Sequence, residues 1–136
     1  MRKRSLFRLI ISLIFLSASS SVVLAQGRDA SASKPAACNQ PQTQAEVNNC
    51  FWALYKQADT KLNEVYKQVI SKLNQRDRNK LIDEQLTWIP RRDTTCQNEV
   101  RSDRGGGGSN YGYVLNSCLT RVTEQRTAEL EKFLQK

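Results

Sequence analysis

Few side chains in this sequence have the types and spacing that catalysis requires. The chain contains no histidine, which excludes the Ser-His and Cys-His pairs of most covalent hydrolases. Acidic residues come close together at Asp83-Glu84 and at Glu129 with Glu131. In helical sequence such pairs are typical of a solvated face, not of the two opposed carboxylates of a glycosidase. The sequence therefore predicts a protein that is not an enzyme.

The other reactive side chains are four cysteines, Cys38, Cys50, Cys96 and Cys118. They are separated by 12, 46 and 22 positions, and neither a CxxC motif nor a histidine accompanies them, so the sequence predicts no metal site. An even number of cysteines in a small exported domain indicates two disulfides. We also expect no cofactor.

An unusual polar face lies in the stretch QLTWIPRRDTTC. On a helix, steps of three, four and four place a glutamine, a tryptophan, an arginine and a cysteine on one side: Gln85, Trp88, Arg92 and Cys96. Tryptophan favours burial, whereas a buried glutamine or arginine needs polar partners. The rest of the fold must supply those partners.

Arg92 is the charge on this face that most needs a partner. Asp59 and Asn63 lie four residues apart, on one face of a preceding helical segment. We predict an ion pair between Arg92 and Asp59, with Gln85 or Asn63 completing the hydrogen bonds. Asp93 directly follows Arg92 and is expected to be an ion-pair partner, not an acid catalyst. The predicted role of this polar network is structural, because it would fix the register of the helices.

Residues 1–25 are predicted to be a signal peptide. A basic start is followed by the apolar stretch 9–23, and Val23-Leu24-Ala25 supplies the small residues of a cleavage site. A membrane anchor is the alternative, but the apolar stretch is short and ends in serines. The residue directly after Ala25 is glutamine and not the cysteine that lipidation requires, so we expect a periplasmic or secreted protein that is not a lipoprotein and has no membrane span after cleavage.

The net charge of the whole chain is +8, from 21 basic and 13 acidic residues. Four of the basic residues and none of the acidic ones lie in residues 1–25, which leaves 17 basic and 13 acidic residues and a net charge of +4. A charge of this size, spread along helices, is ordinary solubilising charge. Together with export, it argues against a nucleic-acid partner.

The rest of the chain is predicted to form a small all-α domain. Residues 26–37 have no hydrophobic period and are expected to be a flexible leader. Residues 38–136 show helical periodicity and no alternating pattern that would predict a strand. We expect an antiparallel bundle of three main helices with two disulfides. The predicted helices cover about residues 44–74, 77–95 or beyond, and 111–134.

Local signals set the ends of these helices. Thr43 and Glu46 form a capping-box pattern, and Asp77 is the predicted cap of the second helix. Pro90 removes one helical hydrogen bond, and we favour a kink there over a break into two helices. Residues 105–109 are the expected flexible connector. The predicted inner side of the third helix comprises Val114, Cys118, Val122, Gln125, Ala128 or Glu129, and Phe133.

Three pairings of the four cysteines are possible. Cys38 precedes the first helix and Cys50 lies two turns into it, which favours a local bridge. Cys96 ends the predicted second helix, and Cys118 lies in the third, across the glycine-rich segment. We therefore predict the disulfides Cys38–Cys50 and Cys96–Cys118.

Several motifs together resemble one known family. The sequence contains TQxExxxC from Thr43, ADxxLNxxY from Ala58 and QxxWxxxRDxxC from Gln85, in that order, followed by a Gly-Ser pair and a late Cys-Leu. This combination resembles the lysozyme inhibitor LprI-like N-terminal domain family over nearly all of residues 38–134. The resemblance implies a small helical, disulfide-bonded, exported domain, and the family's named member is associated with binding and inhibiting lysozyme.

The leading functional hypothesis is an exported, non-enzymatic binding module. It would inhibit lysozyme by protein–protein contact, or bind another envelope protein. Tyr111 and Tyr113, beside the glycine-rich segment, are the candidate partner-binding residues. The alternative is an envelope-associated structural or stress protein that binds anionic lipid or cell-wall polymer. The basic residues that suggest this alternative are Lys61, Lys67, Lys72, Arg76, Arg78 and Lys80.

Overall fold

The computed structural model describes residues 36–103 and 108–135. A short 3-10 helix, Ala36–Cys38, precedes three α-helices: α1, Gln44–Lys72; α2, Gln75–Ser102; and α3, Tyr111–Leu134. No strand occurs within the described ranges. The prediction of an all-α domain with three main helices is therefore confirmed. The predicted signal peptide, leader residues 26–35 and connector residues 105–107 lie outside the described residues.

The three helices run up, down and up, and α3 packs along α1 and less extensively against α2. The connection between α1 and α2 is so short that α2 must reverse direction. α1 and α3 run the same way, because Asn48 contacts Ser109 at one end while Lys61 approaches Glu131 further along. The 29 residues of α1 give the bundle a length of about 43 Å.

The capping box predicted at the start of α1 is confirmed. The backbone N–H of Glu46 donates to the Thr43 hydroxyl at 3.2 Å. Glu46 Oε2 accepts from the backbone N–H groups of Gln42, at 2.7 Å, and of Thr43, at 3.0 Å. These backbone donors, Gln42 first, hold the pKa of Glu46 below its ordinary value.

α2 begins two residues earlier than predicted, and its N-cap is Asn74 instead of Asp77. Asn74 Oδ1 accepts from the backbone N–H of Asp77 at 3.0 Å, and Asn74 Nδ2 donates to Asp77 Oδ2 at 2.7 Å. Asparagine caps a helix as well as aspartate does, so the first turn forms ahead of Asp77. The carboxylate of Asp77 then lies near the positive end of the helix dipole.

α2 continues through Pro90 as a single helix, so a break into two helices does not occur. Proline cannot donate to the carbonyl of Leu86, four residues earlier. Both Leu86 and Pro90 are exposed, so this carbonyl lies on the side of the helix where water can satisfy it.

The core consists of two buried clusters. The larger one lies in the half of the bundle that contains the α1–α2 connection, and the smaller one surrounds the bridge between α2 and α3. The larger cluster comprises Leu62, Val65, Val69, Leu81, Trp88 and Leu130, and the smaller comprises Cys96, Cys118 and Leu119.

Both predicted disulfides are confirmed. Cys38–Cys50 attaches the 3-10 helix to α1, and Cys96–Cys118 joins α2 to α3. On the chain-entropy model each bridge stabilises the fold by about 3 kcal/mol. The smaller core cluster therefore depends on a covalent link in addition to packing.

The predicted inner side of α3 was wrong in part. Thr123 and Thr127 are buried, whereas Gln125, Ala128, Glu129 and Phe133 are exposed. The predicted helical period left out both threonines, but a threonine can be buried in a helix when its hydroxyl bonds to a carbonyl one turn back. The Thr127 hydroxyl does so, donating to the Thr123 carbonyl at 3.0 Å, whereas the Thr123 hydroxyl is buried with no hydrogen-bond partner among the described residues.

We predict that the substitution Glu46→Gln makes the stability of the protein less dependent on pH. A carboxylate with a lowered folded-state pKa contributes stability above its unfolded pKa, near 4.5, and loses it as the pH falls through the folded value. The urea midpoint of the wild type should exceed that of the variant at neutral pH, and the difference should shrink in acid.

Glu64→Gln is the matched control, because Glu64 is an exposed glutamate of the same helix with no part in the cap. If the urea midpoint of the wild type exceeds that of Glu46→Gln by the same amount at acid and at neutral pH, the proposed role of the carboxylate is wrong.

Candidate functional site

Arg92 is the most deeply buried charge in the described part of the chain, at 8% exposure. Its Nε donates to Asp93 Oδ1 at 2.8 Å, and its Nη1 lies 3.7 Å from Asp59 Oδ1. The guanidinium carbon lies 5.2 Å from the centre of the Trp88 ring and 5.6 Å from that of Tyr55. These five residues, called the Arg92 cluster below, combine two carboxylates with two cation–π contacts.

The ion pair predicted between Arg92 and Asp59 is therefore present, and α1 supplies two of the partners. Asn63 bonds to Asp59 and not to Arg92: its Nδ2 donates to the Asp59 carbonyl at 2.9 Å and to Oδ2 at 3.3 Å. Burial raises the pKa of Tyr55 above its ordinary value; the guanidinium opposes this rise, while the carboxylates of Asp59 and Asp93 add to it. Tyr55 is thus a neutral ring packed on a cation.

Gln85 bonds to a different arginine from the one predicted. Its Oε1 accepts from Arg126 Nε of α3 at 3.1 Å. Arg126 Nη1 also donates to Glu129 Oε2 at 3.0 Å, and Nη2 lies 3.9 Å from Glu84 Oε2. Sequence reasoning missed this second polar contact between helices. The spacing of Arg126 and Glu129, three residues apart on one helix, indicates the ion pair between these two residues but not the contact of Arg126 with Gln85.

Exposed aromatic side chains are concentrated where α1 and α3 begin. Trp52 is 57% exposed, Tyr111 48% and Tyr113 39%. We call this surface the aromatic end. Trp52 belongs to α1, and its side chain lies at the surface. Tyr111 and Tyr113 belong to the first turn of α3 and not to a flexible loop, so their backbones are held in a helix.

Close contacts fix the aromatic end to α1. Asn48 Nδ2 donates to the Ser109 carbonyl at 2.9 Å, directly before α3 begins. The Tyr113 ring meets the Phe51 ring edge-on, with 4.6 Å between the ring centres. A Cβ at Gly112 would lie only 3.0 Å from Asn48 Cγ, so a side chain at this position would force the two helices apart. These contacts hold the first turn of α3 and the Tyr113 ring in a fixed position against α1.

A groove of about 590 Å³ runs between α1 and α3, on the side away from α2. Leu54, Ala58 and Ala128 give it an apolar floor, and Lys61 and Glu131 form an ion pair at its edge, at 3.7 Å. The rest of its lining is polar and includes Lys56, Glu64 and Glu124.

Among residues 36–103 and 108–135 there is no group of three acidic, cysteine or histidine side chains placed to hold a metal ion. Every cysteine within these ranges is bonded in a disulfide. None of the helices described combines the length and apolar character needed to cross a bilayer.

We predict that Asp59→Ala lowers the free energy of unfolding by about 1–2 kcal/mol, because Arg92 stays buried and loses one of its two carboxylate partners. Urea denaturation gives this value. Asp83→Ala, which removes an exposed aspartate of α2, is the control and should change the free energy of unfolding by less than about 0.5 kcal/mol.

A double-mutant cycle with Arg92→Met would isolate the coupling between the two side chains. If the Asp59→Ala protein unfolds at the same urea concentration as the wild type, the ion pair does not stabilise the fold.

Comparison with known proteins shows which family this sequence matches. The profile of the family described as "Lysozyme inhibitor LprI" matches residues 36–130. An uncharacterized protein of Rhizobium meliloti (strain 1021) is 28% identical over 111 residues, which covers 72% of this chain and 78% of that protein. No solved structure matches. The matched residues include all four cysteines, the Arg92 cluster and the aromatic end, and the chain therefore belongs to the lysozyme inhibitor LprI family.

Proposed function

We propose that this protein is an exported, non-enzymatic binding protein that inhibits a lysozyme through protein–protein contact at its aromatic end. Membership of the lysozyme inhibitor LprI family is the observation that carries the proposal. Two disulfides in a small domain fit an oxidising compartment outside the cytoplasm. The periplasm or the extracellular space is where such a protein would meet a lysozyme.

The aromatic end has the composition of an energetic hot spot in a protein interface. Tryptophan and tyrosine dominate such hot spots because they bury a large area with few rotatable bonds. Trp52, Tyr111 and Tyr113 provide this area on one end of a narrow bundle. That shape suits entry into a concave cleft, such as the substrate cleft of a glycosidase.

The frame beneath the aromatic end reduces the entropy lost on binding. The edge-on contact with Phe51 restricts the Tyr113 ring before any partner arrives, and the contact between Asn48 and Ser109 and the close approach at Gly112 hold the first turn of α3 against α1. A preorganised surface binds more tightly than a mobile one of the same area.

The net positive charge does not oppose this contact at the aromatic end. Residues 66–80 contain five basic residues and one acidic residue, a net charge of +4, and the rest of residues 26–136 contains 12 of each sign. Lys67 and Lys72 of this segment lie 15 and 20 helical residues from Trp52, or about 22 to 30 Å. This distance is roughly three to four Debye lengths at physiological ionic strength, so the charge would be screened even from a basic lysozyme.

We predict that the exported protein, with both disulfides formed, slows the lysis of a bacterial cell suspension by lysozyme in a dose-dependent way at moderate salt. Replacing Trp52 and Tyr111 by serine should remove most of the protection, because these two rings are the most exposed at the aromatic end. Turbidity measures lysis, and the circular dichroism spectrum verifies the fold.

Leu86→Ser is the control, since Leu86 is an equally exposed apolar residue on α2, away from the aromatic end. Absence of protection at a large molar excess would reject inhibition of the lysozyme tested. Protection that the Trp52 and Tyr111 substitutions leave intact would reject the aromatic end as the contact surface.

A further inference from the structure

The connection between α1 and α2 carries the net charge of the domain. Lys67 and Lys72 lie in the last turns of α1, and Arg76, Arg78 and Lys80 lie in the first turns of α2. All five lie within about 8 Å of the connection along the helix axes, since a helix rises 1.5 Å per residue. We call this surface the basic tip. The expectation that the charge is spread along the helices was wrong.

Three of these side chains are not neutralised by neighbours. Lys67, Lys72 and Arg76 are exposed and form no ion pair within the described residues. Lys80 approaches Glu84 at 3.9 Å, and Arg78 Nη2 donates to the Leu73 carbonyl at 3.3 Å. The acidic residue of the tip, Asp77, lies in the first turn of α2 and bonds to Asn74. The positive field of the tip is therefore directed to solvent.

An exposed aromatic ring adjoins the basic tip. Phe133, near the end of α3, is 46% exposed. It borders a depression of about 280 Å³ together with Leu73, the C-cap of α1, and with Asp77, Lys80 and Glu84 of α2. Lys132 is also exposed and directly precedes this ring in the sequence. The same end of the bundle thus presents an exposed apolar group beside the unpaired basic residues of the tip.

We propose that the basic tip docks on the anionic surface of a phospholipid membrane, with Phe133 entering the headgroup region. Lysine and arginine residues gain energy near anionic lipid because of its negative surface potential. An aromatic ring among them adds the apolar contact typical of interfacial binding. An acidic polymer in solution would attract the charges equally but would leave the ring in water.

This docking surface is independent of the proposed inhibition of lysozyme. The basic tip and the aromatic end lie about 30 Å apart along α1, so one can be occupied while the other is free. Binding to vesicles and protection from lysis are separate measurements, and each can fail without the other.

The test is co-sedimentation of the exported protein with phosphatidylcholine vesicles that either contain or lack phosphatidylglycerol. We expect binding only to the anionic vesicles, weakened by salt. A tip variant carrying Lys67→Gln, Lys72→Gln and Arg76→Gln should bind on the order of 100-fold more weakly, at roughly fivefold per charge. Circular dichroism verifies that the variant is folded.

A second triple variant provides the matched control. Lys56→Gln, Arg91→Gln and Arg101→Gln remove the same net charge from exposed positions outside the tip, and should change binding by less than about threefold. Equal losses in the two triple variants would show that net charge alone governs binding and would overturn the proposal. Failure of the wild type to bind anionic vesicles at low ionic strength would also overturn it.

Phe133→Ser separates the membrane from an acidic polymer. This substitution should weaken binding to anionic vesicles and leave binding to soluble polyglutamate unchanged. If the wild type binds polyglutamate as tightly as it binds vesicles, and Phe133→Ser alters neither, the tip recognises polyanions in general and the membrane assignment is wrong.

Discussion

The burial of one guanidinium group constrains the arrangement of α1 against α2. Arg92 has only 8% of its surface exposed, so its charge must be compensated inside the fold. α2 itself supplies Asp93 and Trp88, and α1 supplies Asp59 and Tyr55. A slip of either helix by one turn would leave the guanidinium without its partners from α1. The cluster thus sets the register between two helices joined by a very short connection.

A second constraint fixes α3. The contact of Arg126 with Gln85 joins α3 to the middle of α2, and Cys96–Cys118 joins the same two helices nearer the glycine-rich segment. On the other side, Asn48 and Gly112 bring the first turn of α3 against α1. Because α3 is held to both neighbours, the aromatic residues in its first turn have a defined position relative to α1. The position of these exposed side chains is therefore a consequence of the contacts between helices.

The sequence predicted those features that depend on local signals. Helical periods, the capping box at Thr43 and the two disulfides follow from residues close together in the chain or from the order of the helices. The partner of Gln85 and the buried side of α3 depend on how far each helix rotates about its axis, which no short motif determines. The burial of Thr123 and Thr127 was missed because threonine was not counted among the core residues.

The position of the charge changes what the fold can do. With the whole net charge of residues 26–136 carried by residues 66–80, the bundle is a rigid rod with a positive tip and an approximately neutral body. A charged surface at one end of a rod orients the molecule when it meets an oppositely charged plane. If the basic tip rests on a membrane, the direction of α1 places Trp52 about 30 Å further from the tip, on the side facing away from the lipid. Membrane docking and partner binding would then be compatible for a geometric reason, because the helix that carries the charge at one end carries aromatic residues toward the other.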